Sequence, residues 1–159
     1  MSLVTLRMKG LAMNIWWCNQ TRCWEQESKA DVVRAPDPME RLTYRETVNL
    51  VRKGDIIIHY RKPHIYALSR AKEDGHHKAT LPDGYWSGWE FKTEYCFLPD
   101  PIHREDVRDK LTSYADRHYA INANGWVKQG YFLSFDIRGL KVVMSRIPQD
   151  KRPDWLKSI

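Results

Sequence analysis

The sequence predicts an α+β fold in which a curved, mostly antiparallel sheet of five to six strands is flanked by helices. Three observations predict it. The chain has 159 residues, 42% hydrophobic and 29% charged, enough for one domain with its own core. Its apolar segments switch between a period of two and a period near 3.6. Most connections between them are short and rich in Gly, Pro and Asp, as hairpin connections are. No run of about 18 apolar residues occurs, which excludes a transmembrane helix.

The elements follow in order. Residues 1–12 read as an N-terminal extension or cloning scar with no secretory h-region, and 13–159 as the domain. Met13 to Cys18 is apolar and aromatic enough for a core strand. Thr21 to Glu27 reads as one or two helical turns capped by Asn19 or Thr21, and Ala30 to Ala35 as an extended piece stopped by Pro36. Thr43, with Glu46 three residues on, opens a helix to Val51. Gly54-Asp55 turns into a strand, Ile56 to Tyr60. Arg61 to His64 forms a hairpin loop and Ile65 to Arg70 its partner strand. Lys72 to Gly88 is polar and turn-rich and reads as a long loop. From Trp89 to Leu98 the residues alternate, with Trp89, Phe91, Thr93, Tyr95 and Phe97 on one face and Glu90, Lys92 and Glu94 on the other. Arg104 to Leu111 is an amphipathic helix, Tyr131 to Phe135 a strand, and Gly139 to Ile147 a closing helix.

A formal charge of +6 is compatible with a polyanionic partner and equally with a mildly basic surface. Three cysteines without C-x-x-C spacing fit a reducing cytoplasm. Cys18 and Cys23 are half a zinc site at most, because no histidine pair has ligand spacing to complete it. No metal or cofactor is expected. Seven tryptophans are the stronger signal. Trp16 and Trp17 are adjacent on a strand and point to opposite faces, so one is expected in the core and the other on a pocket or sheet surface. Trp86 and Trp89 flank Ser87-Gly88 at the end of a polar stretch. There they either anchor the loop or stack on a nucleobase.

Three segments in order, Trp16-Trp17-Cys18-Asn19-Gln20, Lys53 to Tyr60, and Ala123-Asn124-Gly125 with Gln129-Gly130-Tyr131, resemble the EVE domain. The resemblance spans about residues 14–140 and is closest to the modules that front modification-dependent restriction enzymes of the McrB and HNH kinds. Their usual W-W-V-N-Q opening has Cys18 in place of Val here. It implies a PUA-like barrel related to the YTH domain, and a non-enzymatic reader that flips a modified base into an aromatic pocket. The partner it implies is modified DNA ahead of RNA, in a restriction or defence setting with a partner nuclease and no membrane. The stretch Gly84 to Trp89 resembles the one that supplies two cage walls in YTH domains, which assigns Trp86 and Trp89. Asn19 falls where related readers place a base-reading amide. Where many members carry Trp before a small residue and Pro, this chain has Arg34-Ala35-Pro36, and a guanidinium can also stack. The expected pocket is Trp17, Asn19, Gln20, Arg34, Ala35, Tyr60, Trp86, Trp89, Asn124 and Gln129. Arg22, Arg45, Arg61, Lys62 and Lys128 are the expected phosphate contacts.

A rival reading lies in the same stretch. Pro82-Asp83 followed by Glu90-Phe91-Lys92 has the spacing of metal-dependent nucleases. Asp83 and Glu90 would hold magnesium and Lys92 would serve the charged transition state. A half-exposed strand would carry the same charges. A non-nucleic-acid interaction module on the same barrel is a third reading.

Overall fold

The computed structural model describes residues 13–21, 23–36, 48–75, 77–80, 87–113 and 120–159. Seven strands are present among them: β1 (Ile15–Asn19), β2 (Val32–Pro36), β3 (Ile56–Arg61), β4 (His64–Ala71), β5 (His77–Thr80), β6 (Ser87–His103) and β7 (Phe132–Phe135). They form one curved sheet in the order β2-β6-β4-β3-β1-β7, with β5 also paired to β6. Every pairing is antiparallel except β1 with β3. Among the described residues four α-helices accompany it: α1 (Trp24–Ala30), α2 (Arg104–Thr112), α3 (Ile137–Met144) and α4 (Asp154–Lys157). The expected α+β class and curved, mostly antiparallel sheet are what the structure has, with seven strands where five to six were expected.

Both faces of the sheet are covered, and alternation along each strand feeds two separate cores. Trp17, Ile56, Ile58, Tyr60 and Leu68 face the helices, where Val107, Leu111, Leu140 and Val143 meet them. Trp16, Cys18, Ile57, Val33, Phe91 and Phe132 fill the concave side. Trp16 and Trp17 are therefore both core residues, on opposite faces, with 1% and 0% exposure. One of the two had been expected on a pocket or sheet surface.

Local chemistry sets the helix ends. The side chain of His103 accepts the Glu105 N–H at the start of α2, and that of Asp136 accepts the Arg138 N–H at the start of α3. Gly139 lets α3 sit on Phe135, whose ring lies 2.4 Å from where a Cβ would be. Neither Asn19 nor Thr21 caps α1. Its N-cap is Cys23 without a side-chain cap, while Thr21 Oγ1 instead accepts the Lys62 N–H at 3.2 Å.

Two expectations are corrected. The stretch from Lys72 is not all loop, because His77–Thr80 pairs with Ser87–Glu90. The strand expected to end at Leu98 runs on to His103. It absorbs Pro99 and Pro101 in an irregularity that moves the register from Ala67↔Phe97 to Ile65↔Ile102. Of the helix expected over 43–51, residues 43–47 lie outside the described set, and 48–50 form a single 3-10 turn. The N-terminal extension also lies outside it.

Candidate nucleic-acid interface

The expected pocket residues divide among different surfaces. Trp17, Asn19 and Tyr60 are on the helix-facing side. Trp17 packs its ring 5.1 Å from Tyr60 and 5.2 Å from Phe135, with no exposed face to offer a base. Tyr60 is 3% exposed, and its hydroxyl lies beside the Arg104 guanidinium.

The Asn19 amide is committed to structure. Its Oδ1 accepts Trp17 Nε1–H at 2.8 Å, and its Nδ2 donates to the carbonyls of Lys128 at 3.2 Å and Gly130 at 2.6 Å. That uses both donors and an acceptor, so the amide clamps the 128–130 segment to β1 instead of reading a base edge. Asn19→Ala is expected to lower stability by about 2–3 kcal/mol, since it leaves a buried indole N–H and two carbonyls without partners. Urea unfolding would show it, and a change below about 0.5 kcal/mol would remove the clamp from the account.

Gln20, Ala35 and Trp89 are on the concave side. Ala35 is fully buried opposite Trp89, which is half-buried at the edge of the concave core. Gln20 is the hinge of a buried polar chain. Its Oε1 contacts His59 Nδ1, and His59 Nε2 lies 2.6 Å from Ser69 Oγ. An amide oxygen only accepts, so Nδ1 carries the proton and Nε2 accepts from Ser69. Thr93 then donates to Ser69 at 2.6 Å, Gln20 Nε2 donates to Tyr95 at 3.2 Å, and Tyr95 donates to the Val32 carbonyl at 2.8 Å. Every donor points one way along the chain. Burial pushes His59 down to about 3 and the Tyr95 hydroxyl well above its usual range.

A second polar group sits where α1 meets β2 and β7. Glu27 Oε1 accepts the Arg34 N–H at 2.8 Å and the Tyr131 hydroxyl. Burial pushes the Glu27 carboxyl up to about 7 and, with Glu27 beside it, raises the Cys18 thiol well above the ordinary range. Cys18 is thus a packed thiol in the concave core, and among the described residues no three ligand-type side chains cluster around a metal position.

Arg34 does not share a face with Trp89. It pairs with Glu90 across β2 and β6, and its Nε donates to Glu90 Oε2 at 2.8 Å, while Ala35 and Trp89 point the other way. The guanidinium expected to stack on a base or contact phosphate is thus held by a carboxylate in this structure, on the face opposite Trp89. The same contact occupies the Glu90 carboxylate of the rival nuclease reading. Lys92 is exposed, its N–H bonded to Glu73 Oε1, and Asp83 lies outside the described residues, as do Trp86, Arg22 and Arg45.

Aromatic and cationic groups do meet at one end of the sheet, where β1 and β3 finish and α2 begins. The register places Asn19 beside Tyr60, Arg61 beside His64 and His64 beside His103. Arg61 lies 6.0 Å from the Tyr66 ring, and Lys62 is exposed next to it. Phe97, 55% exposed, lies instead on the α1 side, its ring 5.7 Å from Tyr95 and 5.9 Å from Trp24. Beyond Arg104 comes Trp126, 50% exposed. Lys128 is half-buried there, while Asn124 and Gln129 are exposed in the same loop, outside any concave pocket. Trp126 and Phe97 were not singled out by sequence. Their signals were a lone Trp after Asn-Gly and the last residue of the alternating run.

Among solved structures the chain is similar to the YTH domain of Toxoplasma CPSF4 in apo form, with TM-score 0.57, 10% identity and 91% of each chain covered. It is similar to the DUF55 domain of human thymocyte nuclear protein 1, with TM-score 0.52 and 10% identity over 84% of this chain and 97% of that one. It is also similar to the YTH domain of the Zygosaccharomyces rouxii MRB1 protein in complex with N6-methyladenosine RNA, with TM-score 0.50 and 7% identity over 84% of each chain. No family model matches the sequence, and no curated protein matches it. The likeness is one of fold, shared over most of the chain.

Proposed function

We propose that this chain binds nucleic acid and reads a modified base without chemistry of its own. The observation that carries the reading is the end of the sheet at the β3–β4 turn, where Arg61 lies over the Tyr66 ring, Lys62 is exposed, and Arg104, whose N–H donates to the Pro63 carbonyl at 2.9 Å, lies over the exposed Trp126. Cations meet phosphates and ring faces meet bases, and neither use needs sequence-specific contacts. A fold shared with a YTH domain solved on N6-methyladenosine RNA supports it. No helix among the described residues is long and apolar enough to cross a membrane.

The finer proposal follows the sequence resemblance. The base enters a pocket at the concave edge where Trp89 sits, with Trp86 as its second wall. The polymer is DNA, and the setting is restriction of modified DNA through a partner nuclease. Gln20 and Ala35 are fully buried and support that side of the sheet from within, and Asn124 and Gln129 are exposed on the separate 120–130 loop. Arg22, Arg45, Arg61, Lys62 and Lys128 supply phosphate contacts.

The test is a binding panel of short single strands and duplexes, DNA and RNA, carrying N6-methyladenine, 5-methylcytosine or no modification. One modified species is expected to bind at least about tenfold tighter than its unmodified counterpart. Trp86→Ala is expected to erase that ratio in a folded protein. With about three to five phosphates neutralised, the slope of log K against log salt on duplex DNA should fall between about −2.7 and −4.5. Equal binding of every species at every salt concentration would remove the reader reading. Magnesium-dependent nicking lost in Glu90→Ala would replace it with the nuclease.

A further inference from the structure

The 120–128 turn is built rigidly. Ile121 bridges Val127, Asn122 N–H donates to the Trp126 carbonyl at 3.0 Å, and Lys128 N–H donates to the Ala120 carbonyl at 2.8 Å. Within it, Asn122 Oδ1 accepts the N–H of Asn124 at 2.9 Å and of Trp126 at 3.1 Å. Gly125 has φ +84° and presses on α2, where a Cβ would stand 2.5 Å from Arg108 Nε. Only glycine takes both that backbone and that contact. Arg108 Nη2 donates to the Asn124 carbonyl at 2.9 Å, which fixes the turn to the helix.

The product of this construction is one indole held out at the surface. The Arg104 and Arg108 guanidinium carbons lie 4.7 and 5.2 Å from the Trp126 ring centroid. Glu105 contacts both arginines, at 2.9 and 3.5 Å, so the cluster of two arginines and one carboxylate keeps one net positive charge. Ile121 is buried and Val127 partly buried against the helix-side core, so the turn is anchored without the indole. Leaving half of a Trp in water is costly for an anchor and natural for a contact surface.

We propose that Trp126 is a stacking platform for a nucleotide flanking the recognised base, with the Arg104–Arg108 pair orienting the indole and favouring the adjoining phosphate. The assignment rests on the nucleic-acid reading above and adds a second contact that is indifferent to the modification. Stacking on an exposed indole tolerates any base, because every base has a π-face. The partner is thus a single strand, or the unpaired nucleotide beside a flipped base.

The experiment uses the full chain with short DNA and RNA single strands, each with and without N6-methyladenine, and two variants. Trp126→Leu keeps apolar bulk over the arginines but removes the aromatic face. Trp126→Phe restores an aromatic face. Trp126→Leu is expected to melt within a few degrees of the parent. It should bind modified and unmodified strands more weakly by the same factor, roughly 5- to 100-fold, with Trp126→Phe recovering most of the loss. Affinities within about twofold of the parent in Trp126→Leu would overturn the platform while leaving the reader intact. A loss confined to the modified strand would place Trp126 in the base pocket, and would overturn the flanking role. If the parent binds none of the strands, the reader reading fails and the platform with it.

Discussion

Replacing Asp55 by Ala is expected to destabilise the fold by about 3–5 kcal/mol, among the larger effects a single side chain can have. Asp55 is fully buried in the turn that opens β3. One carboxylate oxygen accepts the Asn14 N–H at 2.9 Å, and the other accepts Trp16 Nε1–H and the Arg52 N–H, each at 2.9 Å. Asn14 leads into β1, Arg52 precedes the turn, and Trp16 is the largest residue of the concave core. One group therefore joins three parts of the chain, and it does so beside the parallel pair β1/β3. A parallel pair has no hairpin to set its register. Here the register Ile15↔Ile56 is fixed next to Asp55, where Ile56 N–H also reaches the Asn14 carbonyl at 3.1 Å. Alanine would strand two backbone donors and an indole donor in a dry site. Asp55→Asn is expected to recover little, because its NH2 would face donors. Denaturant unfolding of the two variants checks this, and a loss under about 1 kcal/mol in Asp55→Ala would show that the turn holds itself.

The strands that the sequence made legible were those with a strict alternation and one clear apolar face. Trp89 to Phe97 is the example, with Phe91 and Thr93 buried and Lys92 and Glu94 exposed as expected. β5 was missed because His77–Thr80 carries only one apolar residue, and its pairing comes from β6 rather than from its own composition. The two prolines in β6 concealed its last five residues, since proline normally ends a strand and here marks an irregularity.

The candidate site was harder to read for a geometric reason. A sequence motif lists neighbours along the chain, and a strand sends neighbours to opposite faces. Trp17 and Asn19 went to the helix side, while Gln20, just past the strand end, turned into the concavity. Arg34 and Ala35 separated in the same way. Which of two faces holds a pocket depends on what covers each, and here both are covered. Trp126 was overlooked because its meaning depends on Arg104 and Arg108, whose place beneath it follows from helix docking rather than from spacing.

The stability of the protein between pH 7 and pH 3 should be governed by two buried groups that act in opposite directions. Burial lowers His59 from 6.5 to about 3. Between those values the unfolded chain holds a proton that the folded one does not, so stability falls as the pH falls, by about 1.4 kcal/mol per pH unit. Structure gives the cause. Protonating Nε2 would set an N–H against the Ser69 hydroxyl that now donates to it, and would reverse the run of donors back to Thr93. Glu27 runs the other way. Its carboxyl is raised from 4.5 to about 7, so between those values the folded state holds the extra proton. Its contribution is fully present below pH 4.5 and is lost as the pH rises to about 7. From pH 6.5 to 4.5 the two slopes are nearly equal and opposite, and stability should be nearly flat. Below pH 4.5 Glu27 no longer compensates, and about 2 kcal/mol should be lost by pH 3 through His59. Glu27→Gln separates the two, because an amide can still accept the Arg34 N–H but does not titrate. In that variant stability should fall by nearly 3 kcal/mol from pH 6.5 to 4.5, where the parent is flat. Urea midpoints at pH 6.5, 4.5 and 3 decide it. A parent and variant with parallel profiles would mean that Glu27 binds its proton alike in the folded and unfolded chain, and the compensation of His59 by Glu27 would be overturned.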